Sequence, residues 1–135
     1  MSANPFNHID LRVSNLDTAF PFYQKVMPAL GLTYTGHHKE PTGIEWEVFS
    51  FKERAGRPGQ FFAITEDKGH VSNKNCIAFF VESRDSIDKI ADAVRKSGAQ
   101  NIEGPCECPE YNKTYYSVFF EDPSGNRLEA VNWKL

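Results

Sequence analysis

Three short stretches carry most of the residues that could do chemistry. Near the N-terminus His8, Asp10 and Arg12 alternate with Ile9, Leu11 and Val13. In the middle, Cys76, Ala78 and Phe80 alternate with Ile77, Phe79 and Val81. Near the C-terminus, Arg127, Glu129 and Val131 alternate with Leu128 and Ala130. A period of two is that of a half-buried strand, with one set of side chains on each face. The apolar sets belong under a covering element. The other sets put a histidine, an aspartate, two arginines and a glutamate on one face, beside the aromatics Trp46, Phe61, Phe80 and Tyr116. Charges removed from water must be paired or coordinated, so this is a poor dry core. It suits a pocket with apolar walls and a few placed polar groups. The four aromatics would stack on a flat organic ligand, and Asp10, Arg12, Arg127 and Glu129 would orient it.

The remaining candidates have plainer readings. His37 and His38 fall in a turn and His70 in a linker, where solvation explains them. Glu45 and Glu47 share a strand face with Phe49 and Phe51; they read as edge-strand charges, with a carboxylate ligand or general base as the alternative. Tyr111, Tyr115 and Tyr116 flank the loop Gly104 to Lys113, long enough to act as a lid. No Ser-His-Asp arrangement, phosphate loop or dinucleotide fingerprint is present.

The elements that must position these residues occur twice. Strand Asn7–Ser14 is followed by a helix capped by Asp17 and ending near Leu30, with Phe20, Tyr23, Val26 and Met27 on its stripe and Pro21 in its first turn. Strands follow at Leu32–Gly36, Ile44–Phe51 and Phe61–Glu66, joined by turns at His37–Gly43 and Lys52–Gln60. The pattern restarts with strand Asn75–Glu82 and helix Asp85–Ser97. A short strand at Gln100–Glu103 comes next, then a hairpin of Thr114–Glu121 and Asn126–Val131 across Asp122-Pro123-Ser124-Gly125. The two halves, 1–68 and 75–135, repeat at an offset of 68, so that His8 aligns with Cys76 and Asp17 with Asp85. The expected fold is α+β: two tandem βαβββ modules forming one domain, whose curved mixed sheets make a cup.

Composition bounds the function. The chain has 135 residues, 40% hydrophobic, with a net charge of -3. That suffices for a packed core and lacks the basic footprint of a nucleic-acid binder. No apolar run reaches the roughly 18 residues of a membrane span. Three cysteines (Cys76, Cys106 and Cys108) without a leader sequence argue for a reducing cytoplasm and structural thiols rather than a disulfide framework.

The order of elements resembles the vicinal-oxygen-chelate superfamily, which includes glyoxalase I, bleomycin-resistance proteins, fosfomycin-resistance thiol transferases and extradiol dioxygenases. The resemblance is carried by Asn7-His8-Ile9-Asp10-Leu11-Arg12-Val13, by the restart Cys76-Ile77-Ala78-Phe79-Phe80-Val81, and by the close Phe120-Glu121-Asp122-Pro123-Ser124-Gly125-Asn126-Arg127-Leu128-Glu129. It implies a divalent metal (zinc, nickel, manganese or iron) held by the first and last strands of each half. His8, Cys76 and Glu129 fill three of those slots and Phe61 the fourth; Glu129 would also be the catalytic base. The function implied is metal-dependent lyase, isomerase or dioxygenase chemistry on a small molecule. The alternatives are metal-free sequestration of such a molecule, or an interaction role for the open sheet face. A homodimer is expected under each reading.

Overall fold

The computed structural model describes residues 5–52, 56 and 59–135. The N-terminal alternation forms strand β1 (His8–Val13). Helix α1 (Leu16–Ala29) begins two residues earlier than the aspartate suggested. Asn15 is the cap, its side-chain oxygen accepting from the Thr18 amide at 3.1 Å. Asp17 instead lies in the first turn, where its charge complements the helix dipole. Pro21 therefore sits beyond the first turn, on the exposed side of the helix. Strands β2 (Thr33–Lys39), β3 (Glu45–Ser50) and β4 (Phe61–Glu66) complete the first module. The turn expected at Lys52–Gln60 includes 53–55 and 57–58, outside the described residues.

The second module runs β5 (Cys76–Phe80), α2 (Arg84–Arg95), β6 (Gln100–Glu107), β7 (Tyr116–Glu121) and β8 (Arg127–Asn132). Ser83 caps α2 by accepting from the Ser86 amide at 3.1 Å. β6 is twice the expected length, so the first four residues of the anticipated Gly104–Lys113 loop are strand. Its pairing with β7 breaks register twice, which hides the period of two from a sequence reading. Among the described residues no helix is long and apolar enough to cross a membrane.

Each module is a four-stranded mixed sheet, in the orders β1-β4-β3-β2 and β5-β8-β7-β6. The first and last strands of each module run parallel, the others antiparallel. Each helix covers one face of its own sheet. Leu128 and Ala130 are fully buried under α2, as their alternation requires, and so are Val118 and Phe120. Under α1 the same holds for Val13, Phe49, Phe62 and Ile64. The modules join through these covered faces. Phe22 packs on Phe120 with ring centroids 6.2 Å apart, and Phe62 on Phe79 at 5.6 Å.

A polar staple locks this junction. Asp122 is fully buried. One of its carboxylate oxygens accepts from the amides of Ser124 and Asn126, at 2.8 and 2.9 Å. The other accepts from the Tyr23 hydroxyl at 2.6 Å and the Asn126 side chain at 3.0 Å. Asn126 also donates to the Arg12 carbonyl at 2.8 Å, across the modules. The Asp-Pro-Ser-Gly-Asn segment is thus a turn that grips α1 and β1, with the Asp122 carboxylate bonded at both oxygens.

Candidate functional site

The uncovered sheet faces carry the candidates. On the first module, β1 pairs with β4 so that His8 lies opposite Phe61, Asp10 opposite Ala63 and Arg12 opposite Thr65. The His8 and Phe61 rings stack in parallel, with centroids 4.4 Å apart and planes 3° from coplanar. The Asn7 side-chain oxygen lies 2.7 Å from His8 Nδ1. Asp10 accepts from Thr65 Oγ1 at 2.6 Å, and Arg12 reaches Asp10 at 3.4 Å. Trp46 lies opposite Thr65 on β3 and stacks on His38 at 5.2 Å. His38, read from sequence as a solvated turn residue, therefore belongs to this aromatic face.

On the second module Cys76 lies opposite Arg127, Ala78 opposite Glu129 and Phe80 opposite Val131. Glu129 is 6% exposed although its face has no covering helix. The Tyr115 hydroxyl donates to its Oε1 at 2.5 Å, and the Cys76 thiol lies 4.0 Å from Oε2. Burial first, and the bond to Glu129 second, push the Tyr115 phenol far above its ordinary range, so it remains a donor. Burial and the Glu129 charge also push up the Cys76 thiol, against the opposing pull of Arg127. Arg127 lies over the Phe119 ring, 4.9 Å from its centroid. Phe80 is 59% exposed.

Two placements correct the sequence reading. Tyr116 is on the opposite face: its hydroxyl donates to Asp88 on α2 at 2.7 Å, and Arg84 covers its ring. The tyrosine on the site is its neighbour Tyr115, since adjacent strand residues point to opposite faces. The sequence places Tyr115 only among the loop tyrosines and does not single out Phe119; the alternation of 115, 117 and 119 against the apolar Val118 and Phe120 is the signal that puts both on this face. The position equivalent to Glu129 is Ala63 rather than Phe61, because each sits two pairs beyond the His8 or Cys76 pair that opens its parallel ladder. Phe61 corresponds to Arg127.

The two faces do not meet within one chain. His8 is on one sheet, Cys76 and Glu129 on the other, and the sheets join through their covered sides. Among the described residues, no group of three His, Cys, Asp or Glu side chains is arranged to hold a metal ion. The donor set within one chain therefore does not fit the divalent metal that the resemblance implied. Ala63 supplies no ligand at the fourth slot.

Glu45 and Glu47 are also settled by register. Glu47 pairs with Ile64 on the helix-covered side, remote from the open face. It is buried and accepts from the Tyr34 hydroxyl and His37 Nδ1, both at 2.6 Å. Glu45 is 3.3 Å from the other His37 nitrogen. The hydrogen bond to Glu47 is the main cause pushing the Tyr34 phenol up to about 12. Glu47→Ala is expected to cost about 1 kcal/mol, read from the urea midpoint, because it removes two hydrogen bonds whose half-exposed donors can turn to water.

Comparison with known proteins agrees with this architecture. The family model described as the Glyoxalase/Bleomycin resistance protein/Dioxygenase superfamily matches residues 6–130. The chain belongs to that superfamily. A virulence protein of Salmonella typhimurium strain LT2 is 21% identical over 139 residues, 98% of this chain and 87% of that protein. A point mutant of the fosfomycin resistance protein FosX of Listeria monocytogenes, solved with Mn(II) and a dihydroxypropylphosphonic acid, superposes with a TM-score of 0.67. It is 19% identical, over 99% of this chain and 96% of that one. TnmS3, an antibiotic binding protein of Streptomyces sp. CB03234, gives 0.64 at 16% identity, over 96% of each chain. Proteins of this fold thus hold differing ligands, which leaves function to the site.

Proposed function

We propose that this superfamily member takes a small, flat, polar organic molecule into a cup made by two copies of the chain. One wall is the first-module face of one copy, with Trp46, Phe61, His8, Asp10 and Arg12. The other is the second-module face of its partner copy, with Phe80, Arg127 and Glu129. The observation that carries this reading is the pair of unfilled faces, equivalent by register, each lined with flat groups and charges and joined back to back. A two-fold dimer brings unlike faces together twice, since symmetry requires each contact to be repeated. The antibiotic-binding and fosfomycin-resistance proteins of the same fold support a small-molecule ligand, and the aromatic lining supports a flat one. Three free thiols fit a reducing cytoplasm.

The test is quenching of Trp46 fluorescence in a Trp133→Phe background, with a chelator present, by planar compounds bearing an anionic or cationic group. Saturable quenching is expected, reduced at least about tenfold in affinity by Arg127→Ala, in line with a hydrogen bond to a charged group. A monomer in solution that no such compound quenches would sink the proposal.

Metal-assisted lyase, isomerase or dioxygenase chemistry is the second reading. It is favoured by one observation: His8, Cys76 and Glu129 stand on the two walls that pairing would bring together. We expect native protein to carry well under one equivalent of zinc, nickel, manganese or iron, and Cys76→His to gain tight binding by supplying a neutral imidazole. One equivalent in the parent, lost in His8→Ala and in Glu129→Ala, would promote this reading over the first.

A further inference from the structure

Cys106 and Cys108 stand apart from the residues used so far. Cys106 is in β6, opposite Ser117 of β7, and is exposed; Cys108 follows the strand and is buried. Ser117 alternates with Val118, so the thiols lie on the same uncovered side as Tyr115 and Glu129. In a regular strand, residues two apart are separated by about 6.6 Å. Here the chain turns at Cys108, whose amide donates to the Tyr115 carbonyl at 2.9 Å. The turn leaves the two sulfurs 3.8 Å apart. Cys108 Sγ also lies 3.7 Å from Ser117 Oγ. A closure of about 2 Å would make a disulfide bond.

We propose that Cys106 and Cys108 are a dithiol–disulfide couple, oxidised by exchange with a small-molecule disulfide, and that its state sets the position of Tyr115. Cys106, the exposed thiol, loses its proton and attacks one sulfur of the incoming disulfide. One small thiol leaves and takes up a proton. Cys108 then loses its proton and attacks the Cys106 sulfur of the mixed disulfide, releasing the second small thiol. Two cysteine thiols are oxidised to one S–S bond, and one small disulfide is reduced to two thiols.

The consequence follows from the backbone. Cys108 is the base of the loop 108–115: its carbonyl accepts from the Tyr111 amide at 3.0 Å, and its amide is bonded to Tyr115. Drawing Cys108 towards Cys106 moves the strand end that presents the Tyr115 hydroxyl to Glu129. Burial, the Cys108 thiol and the charges of Glu110 and Glu103 push the Cys106 thiol up. Exchange is therefore slow at neutral pH and quickens about tenfold per pH unit while the thiol stays protonated. This couple goes beyond the ligand reading and does not require it.

The experiment incubates the full chain in buffers of oxidised and reduced glutathione, quenches with acid, alkylates, and weighs tryptic peptides. Cys106 and Cys108 share the peptide spanning 97–113, whereas Cys76 lies in another. The expected product is that peptide without alkylation and about 2 Da, two hydrogens, lighter than its dithiol form, with Cys76 alkylated. The oxidised fraction should correspond to an equilibrium constant at least about tenfold larger in folded protein than in urea, because the fold holds the thiols in contact. Glutathione adducts on Cys106 without the internal bond, a bond involving Cys76, or equal constants folded and unfolded would each overturn the couple. The rate of Cys76 alkylation reports the link to the site, since this thiol lies beside Glu129. It should change at least about twofold on oxidation and stay constant in Cys106→Ser treated identically; an unchanged rate in the parent overturns the link to Tyr115.

Discussion

Asp122→Ala is expected to destabilise the protein by about 3–5 kcal/mol, a shift readily measured as a lower urea midpoint. The side chain holds four hydrogen bonds in a buried site, three of them to its own turn and one to a tyrosine of the other module. Its removal strands the Tyr23 hydroxyl and opens the turn together. Tyr23→Phe keeps the ring packing and the other three donors, so its cost should be about 2 kcal/mol. The pH dependence separates this bond from general packing. Burial first, then the Asp122 charge, push the Tyr23 phenol well above its ordinary value near 10. A group whose pKa is raised on folding contributes below the unfolded value and loses that contribution as pH climbs towards the folded one. Above about pH 10 the parent should therefore lose stability more steeply than Tyr23→Phe. Parallel pH curves would show that the bond contributes nothing to the junction.

Mixing two binding-dead variants should restore about a quarter of the ligand sites. His8→Ala damages the first-module wall and Glu129→Gln the second. If each cup takes one wall from each copy, a mixed dimer has one intact cup and one doubly damaged cup. Random reassortment makes half of the dimers mixed, hence about one site in four. The check is titration of the quenching compound found in the Trp46 screen against the remixed protein. Each variant alone should bind at least about tenfold more weakly than the parent. No recovery after remixing, with both variants folded and dimeric, would place the site within a single chain. Both residues sit where the fold tolerates change: His8 is exposed, and glutamine preserves the shape of Glu129.

The duplicated module was legible because its signals are local. Alternation at Ile9, Leu11 and Val13 and at Ile77, Phe79 and Val81, and helix stripes ending at glycine, need only near neighbours to be read. The faces of β1, β5 and β8 followed from the same period of two. The length of β6 did not, since two register shifts erase its alternation. Tyr115 and Tyr116 were confused for a related reason: at a strand edge one residue of error moves a side chain to the opposite face. The repeat offset is 68 from His8 to Cys76 but 66 from Ala63 to Glu129. Loops of unequal length intervene, so a constant offset misplaced the counterpart of Glu129 on Phe61.

By itself, the order of apolar and polar residues determined an α+β duplication with one covered and one uncovered face per sheet, and it named the side chains on most of those faces. Tertiary structure alone decided how the faces are disposed: the covered sides meet, Asp122 and Asn126 fasten them, and His8 is left on a different sheet from Glu129. It also put the Tyr115 hydroxyl on Glu129 and the Cys106 and Cys108 sulfurs in contact. The reason is physical. Which face of a strand is apolar depends on its own residues, whereas which distant groups converge depends on how whole layers pack, and that is settled by volumes and buried partners that no single stretch contains.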